Sequence, residues 1–214
     1  RHLGCQSGIN LTASHNPKEY NGYKAYWDDG AQVLAPHDTA IIDEVNKVTV
    51  EDIKFKGNKD LIQIIGEDVD KVYLDKVHTL SIDPEVIKRQ KDLSIVYTPL
   101  HGTGNIPVRR MLEGLDVTVV KEQELPDGNF STVRSPNPEE KDALNIAIEK
   151  AKKIGADLVL GTDPDCDRVG IAVKDGDDYK LFTGNQTGAL LVNFVLTMKK
   201  DTLNEKSTLV KTIV

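Results

Sequence analysis

Apolar and polar positions divide the chain into stretches of differing period. Residues 8–13 are short and apolar, read as a strand, and run into the polar segment Ser14-His15-Asn16-Pro17. Tyr-Lys-Ala-Tyr-Trp at 23–27 is aromatic-rich and predicts a second strand, closed by a turn at Asp28-Asp29-Gly30. Residues 36–48 place Ile41, Ile42, Val45 and Val48 on one helical face. Residues 67–80 do the same with Val69, Val72, Tyr73 and Leu80, and Ser81-Ile82-Asp83-Pro84 ends that pattern at a candidate domain boundary.

Beyond this point strand-like and helix-like stretches alternate. Residues 93–97 predict a buried strand, 98–105 a Gly-rich loop, and 107–115 a short helix opened by Pro107, with Gly114 near its end. Residues 117–120 predict another strand, and 125–138 a long irregular connection carrying three prolines. Asn137, Pro138 and Glu140 stand where an N-cap, N1 and N3 belong, so a helix is predicted from there to Ile154. Its inward face would be Leu144, Ala147, Ile148, Ala151 and Ile154, and Gly155 would stop it. Residues 158–160 and 169–173 predict strands on either side of an acidic loop. Residues 188–198 read as a buried helix, and 207–214 as a strand-like alternation. Strand, crossover helix and strand in succession predict an α/β fold of mixed, largely parallel sheets layered with helices. In such sheets ligands gather where loops leave the carboxyl ends of the strands. The loops at 98–105 and 163–168 both leave strands in that way.

The chain's 214 residues suffice for one or two domains with a real core. A net charge of −7 argues against a nucleic-acid partner, because a phosphate backbone attracts Lys/Arg-rich faces. The apolar run at 188–198 is too short to span a bilayer, so no membrane association is expected. Two cysteines, Cys5 and Cys166, make no disulfide framework, and a cytoplasmic location follows by default. The chain lacks an initiator Met and a signal-peptide pattern, and its last residues stop within a strand-like alternation. It reads as an internal piece of a larger protein.

Two segments carry candidate chemistry. Asp163, Asp165 and Asp167 alternate, so their carboxylates can converge on one cation, and three carboxylates suit Mg²⁺ or Ca²⁺. The spacing excludes an EF-hand: Arg168 stands where Gly is needed and Lys174 where Glu is needed. The plainer alternative is a solvated acidic turn. Arg168 either neutralises the cluster or binds a ligand phosphate, and Cys166 is read as a spacer. Ser14 is the second candidate, as a nucleophile in a tight polar loop. The same residues also make an ordinary turn, and a hydroxyl needs activation before it attacks. His15, as the next residue, is expected to point away from it. Lys24 on the following strand is either an acid/base or a surface residue. His101-Gly102-Thr103-Gly104 lets backbone N–H groups approach a phosphate, or simply makes a tight strand-to-helix turn.

Five motifs occur in order: Thr-Ala-Ser-His-Asn-Pro at 12–17, Asn-Gly-Tyr-Lys at 21–24, Thr-Pro-Leu-His-Gly-Thr-Gly at 98–104, Pro-Asn-Pro-Glu at 136–139 and Gly-Thr-Asp-Pro-Asp-Cys-Asp-Arg at 161–168. Together they resemble the α-D-phosphohexomutase superfamily of phosphoglucomutases and phosphomannomutases. The resemblance implies a four-domain enzyme. Residues 1–80 would be the C-terminal part of its domain I, 81–195 domain II, and 196–214 the start of domain III. It implies Ser14 as the phosphate-carrying serine. Asp163, Asp165 and Asp167 would be Mg²⁺ ligands, joined by the phosphoserine at Ser14. His15 would lie beside that phosphate, Lys24 would be the general acid/base, and Arg168 and His101 would face phosphate or substrate. The implied substrate is a sugar phosphate, passing through a bisphosphate such as glucose 1,6-bisphosphate.

The extended aromatic segment around residues 18–27 resembles the phosphoglucomutase and phosphopentomutase branch, which favours the glucose 1-phosphate and 6-phosphate pair. Mannose and pentose phosphates remain open, since the sugar-selecting loop of the family lies outside this chain, and oligomeric state is not legible. For the same reason residues 1–214 alone are expected to be inactive. Two other readings compete. One is an aspartate-nucleophile phosphatase built on Asp165, since residues 165–169 fit a loose Asp-x-Asp-x-Val pattern. The other is a sugar-phosphate-binding module without catalysis.

Overall fold

The computed structural model describes residues 1–211. The chain divides into two compact units, 1–72 and 73–214, with the cut falling inside a helix.

In the first unit β1 (Ser7–Leu11) and β2 (Tyr23–Trp27) form an antiparallel pair, with Asn10 opposite Lys24. Helix α1 (His37–Val45) follows, and α2 (Glu67–His78) carries the chain across the cut. Among the described residues of this unit, Val33 is the buried one. The apolar face predicted for α1 is largely at the surface, and Ile42, Val45 and Val48 are exposed. Ile41, Val45 and Val48 instead line an open groove with Trp27 and His37. In α2 the buried residue is Leu74, while Val72 and Tyr73 of the predicted apolar face, and Leu80 beyond the helix, are exposed.

The second unit is built on a five-stranded sheet. After α3 (Glu85–Arg89) come β3 (Ser94–Thr98), α4 (Asn105–Met111), β4 (Asp116–Val119), α5 (Lys141–Ile154), β5 (Leu158–Thr162), β6 (Val169–Asp175), β7 (Asp178–Phe182) and α6 (Gly184–Met198). The strand order is β4-β3-β5-β6-β7. Strand β3 pairs in parallel with both β4 and β5, whereas β5–β6 and β6–β7 are antiparallel. The sheet is therefore mixed in equal parts, and the acidic loop is the connection of a hairpin. Because β3 and β5 are parallel neighbours, the loops leaving their carboxyl ends lie side by side.

Helix α5 supplies the core. Ala143, Leu144, Ala147, Ile148 and Ala151 recur on one face and pack with Val96, Val120, Val159 and Ala172 of the sheet layer. Gly155, in a left-handed conformation, ends the helix as expected. The start differs. The Asn137 side chain accepts from the Glu139 N–H at 3.1 Å, closing a local turn, and the helix begins only at Lys141. Ile154, expected inside, is half exposed at the frayed end. Helix α6 was expected to be buried. It instead exposes Leu190, Leu191, Phe194, Leu196 and Met198. The strand expected at 207–214 is not formed over 207–211, and the rest lies outside the described residues.

Candidate functional site

The first candidate loop leaves β1 and returns into β2. Ser14 has φ of 52°, a left-handed conformation uncommon for a residue with a Cβ. The turn holds it there: the Ser14 N–H donates to Thr12 Oγ1 at 2.9 Å, and the Asn16 N–H to the Ala13 carbonyl at 3.0 Å. At the base of the loop the Thr12 N–H donates to the Gly22 carbonyl at 3.2 Å. A Cβ on Gly22 would lie 1.8 Å from the Thr12 carbonyl oxygen, so this approach requires glycine. His15 does not point away. Its Nδ1 lies 3.0 Å from Ser14 Oγ, within hydrogen-bond distance, because the left-handed turn swings the two side chains to the same side. Lys24 is half-buried on β2.

The second candidate site lies in the second unit. Thr162 ends β5, and the chain turns through residues 163–168 into β6. Asp163 is fully buried, and its Oδ1 accepts the N–H groups of Asp167 at 3.1 Å and Arg168 at 2.9 Å. The Cys166 N–H donates to the Asp163 carbonyl at 2.9 Å. The loop thus wraps around its first carboxylate. Asp163, Asp165 and Asp167 each bring a carboxylate oxygen into a cluster in which these atoms lie within 4.8 Å of one another. An all-oxygen, trianionic donor set of this size fits a hard divalent cation such as Mg²⁺. The backbone of Arg168 is tied to Asp163, and its side chain lines an open groove of about 860 Å³ with Glu139, Thr183 and Asn185.

Cys166 lies between Asp165 and Asp167, with its thiol turned towards Tyr97 and Thr162. Burial raises the thiol's pKa; a hydrogen bond to Thr162 opposes that shift and the three aspartates add to it.

The loop at 98–104 braces the acidic loop. The Thr103 N–H and hydroxyl both donate to the Pro164 carbonyl, at 2.9 and 3.1 Å. A Cβ on Gly102 would lie 2.5 Å from Pro164 Cα, so the two backbones touch there. His101 departs from the expectation that it faces phosphate. Its ring is nearly buried, with Nδ1 at 2.8 Å from the Leu125 carbonyl and Nε2 at 2.7 Å from Thr132 Oγ1. Both nitrogens are occupied within the domain, and His101 fastens the irregular 125–132 segment. Gln123 completes this buried network by accepting from the Thr98 hydroxyl at 2.7 Å. None of these bracing contacts is legible at the level of motif. The Gly-rich stretch marks a close approach without saying to what.

The α/β layer thus holds a braced, three-carboxylate hairpin at the carboxyl end of β5. The chain belongs to the phosphoglucomutase/phosphomannomutase family: residues 1–52 match its α/β/α domain I and residues 71–176 its α/β/α domain II. It is 40% identical over 208 residues to a phosphoribomutase of Saccharomyces cerevisiae, covering 88% of this chain and 33% of that protein. It is likewise 40% identical over 203 residues to a phosphoglucomutase of Staphylococcus aureus, covering 91% of this chain and 36% of that one. The chain thus spans about a third of the length of these curated relatives. A crystal structure described as a putative phosphomannomutase from Thermus thermophilus shares its fold, with a TM-score of 0.70 over 91% of this chain and 42% of the other, at 22% identity. Among the described residues, no helix is long and apolar enough to cross a membrane.

Proposed function

We propose that this chain carries the phosphoserine and cation-binding segments of a sugar-phosphate mutase, an isomerase of the phosphotransferase type. The observation that carries the reading is the convergence of Asp163, Asp165 and Asp167 on one point of a braced hairpin. A chain with a nucleophile-bearing loop and such a hairpin has the two parts that phosphoryl transfer needs.

In this reading Ser14 carries a phosphoryl group on Oγ. A sugar-phosphate hydroxyl attacks that phosphorus, the Ser14 Oγ–P bond breaks, and a sugar O–P bond forms. The hydroxyl's proton passes to a general acid/base, for which Lys24 is our candidate, and that group returns it to Ser14 Oγ as the serine leaves. The bisphosphate then turns over and returns its other phosphoryl group to Ser14. His15, within hydrogen-bond distance of Ser14 Oγ, steadies the hydroxyl between transfers. Asp163, Asp165 and Asp167 would hold Mg²⁺, and the ion when bound would supply positive charge for the phosphoryl oxygens. Arg168 faces phosphate. For His101 we assign a bracing part, because both ring nitrogens are engaged inside the domain.

Glucose 1-phosphate and 6-phosphate, linked by glucose 1,6-bisphosphate, are our first substrate pair. Pentose phosphates are the second, favoured by the likeness to a phosphoribomutase. We place the protein in the cytoplasm, take residues 196–214 as the opening of a third domain, and expect residues 1–214 alone to show no turnover.

Phosphopeptide mass spectrometry of the full-length protein tests the proposal. Phosphate on Ser14 should leave on addition of one sugar phosphate in the presence of Mg²⁺, and the sugar that removes it names the substrate. A Ser14 that never carries phosphate, with phosphate on Asp165 instead, would overturn the mutase reading in favour of an aspartate-nucleophile phosphatase.

A further inference from the structure

Beneath the acidic loop three polar side chains meet. Tyr97 on β3 is fully buried, and its hydroxyl shares a hydrogen bond of 2.9 Å with Thr162 Oγ1 on the adjacent strand β5. The thiol of Cys166 packs against the same point. A Cβ added to Gly104 would lie 2.6 Å from Tyr97 Oη, 2.7 Å from Thr162 Oγ1 and 2.9 Å from Cys166 Sγ, so the three atoms converge on one point against that glycine.

We propose that Thr162, held by its hydroxyl bond to Tyr97 and packed beside the Cys166 thiol, is a positioning residue for the cation-binding carboxylates. The inference rests on the metal reading given above. Thr162 immediately precedes Asp163, and Cys166 lies between Asp165 and Asp167. Packing Cys166 against the strand end therefore helps set the path of the backbone from which two of the three carboxylates project. Cys166 sits in a left-handed conformation, φ 61°, which a residue with a Cβ adopts only when its surroundings hold it there. Three like charges within 4.8 Å repel one another, so the loop needs internal tethers to keep them together. The two backbone donors to Asp163 Oδ1 tether the first carboxylate. The Thr162 hydroxyl, fixed by Tyr97, backs the Cys166 side chain of the segment bearing the other two. Groups one step removed from a metal set its affinity by orienting the ligands, and losing one typically weakens binding about 10- to 100-fold.

Mn²⁺ is the probe, titrated against the full chain and read by the electron paramagnetic resonance of the free ion, with thermal melting in parallel. Thr162→Val keeps the shape and removes the hydroxyl. It should weaken Mn²⁺ binding by about tenfold or more. Thr162→Ser should restore affinity to within about twofold of wild type, as a part played by the hydroxyl requires. Tyr97→Phe, which deletes one oxygen and leaves the ring packed, should weaken binding in the same direction. A merely structural role would lower the melting temperature of these variants and leave Mn²⁺ affinity unchanged, and that result overturns the inference. A wild-type chain that binds no Mn²⁺ overturns the metal reading and this inference with it. A wild type that binds while folded Thr162→Val and Tyr97→Phe bind equally well overturns this inference alone.

Discussion

Substituting Gly102 by alanine tests whether the 98–104 loop braces the acidic loop. The new Cβ would stand 2.5 Å from Pro164 Cα, 2.7 Å from its carbonyl oxygen and 2.8 Å from the Pro99 carbonyl oxygen. Ordinary contact begins near 3.4 Å, so the backbones must part by about 0.9 Å. All three neighbours are backbone or ring atoms, and no flexible side chain can yield. Overpacking of this kind costs about 1–3 kcal/mol. The same displacement lengthens the two bonds from Thr103 to the Pro164 carbonyl, at about 1 kcal/mol for each one lost. Against this, alanine narrows the unfolded ensemble and returns about 0.4–1 kcal/mol. The net expectation is a loss of about 2–4 kcal/mol, measured by urea unfolding followed by circular dichroism. Amide exchange should quicken at residues 98–104 and 163–168 together. Gly128→Ala, where nothing lies within 4 Å of the new methyl, is the control and should be neutral or slightly stabilising. A Gly102→Ala protein within 0.5 kcal/mol of wild type, unfolding by the same assay, would refute the bracing argument.

Three further outcomes are expected. Leu144→Ala, at a fully buried position of α5, should cost about 2–5 kcal/mol in the same unfolding assay. Asp163→Ala strands the Asp167 and Arg168 N–H groups and should cost about 2–4 kcal/mol, while Asp163→Asn keeps an acceptor and should cost clearly less; comparing their unfolding midpoints checks this. The Asp127 carboxylate accepts from Ser131 and Asn129, and these bonds, the Ser131 hydroxyl first, pull its pKa from 3.8 down to about 2. Its folded-state pKa is depressed, so its contribution to holding the 127–131 loop is complete above about pH 4 and is lost as pH falls through about 2. Carboxyl NMR titration should place its midpoint near 2, and Asp127→Asn should remove the pH dependence of exchange in that loop.

The parts of the fold that were legible in the sequence are those decided by local chemistry. Gly155 announces the end of α5 because a left-handed cap needs glycine, and the period of Leu144, Ala147, Ile148 and Ala151 announces its buried face. The three alternating aspartates announce their own convergence, since five residues leave them nowhere else to go. What failed was decided at longer range. Asn137 has every local qualification for an N-cap, yet its side chain closes a turn two residues on and the helix waits for Lys141. The direction of β6 depends on the length of the acidic turn and on pairing across the sheet, neither of which hydrophobic period encodes. Strand β7 went unpredicted because its alternation is short and edge-placed. The apolar period of α1 and α6 shows that each helix has a face to cover, but period does not say whether the cover lies within these residues, and here that face is exposed. His15 and His101 reversed expectation for one reason. A positive φ at Ser14 and at His101 redirects the side chains, and no residue-type pattern signals it.

Since the acidic turn joins antiparallel β5 and β6, all three carboxylates come from five consecutive residues of one hairpin. The chain between the outer ligands is so short that gathering them around an ion costs little conformational freedom. Hairpins of this size also close within microseconds. Any ion taken up by the three carboxylates is thereby held by a single short stretch of polypeptide, formed as soon as its strand pair forms.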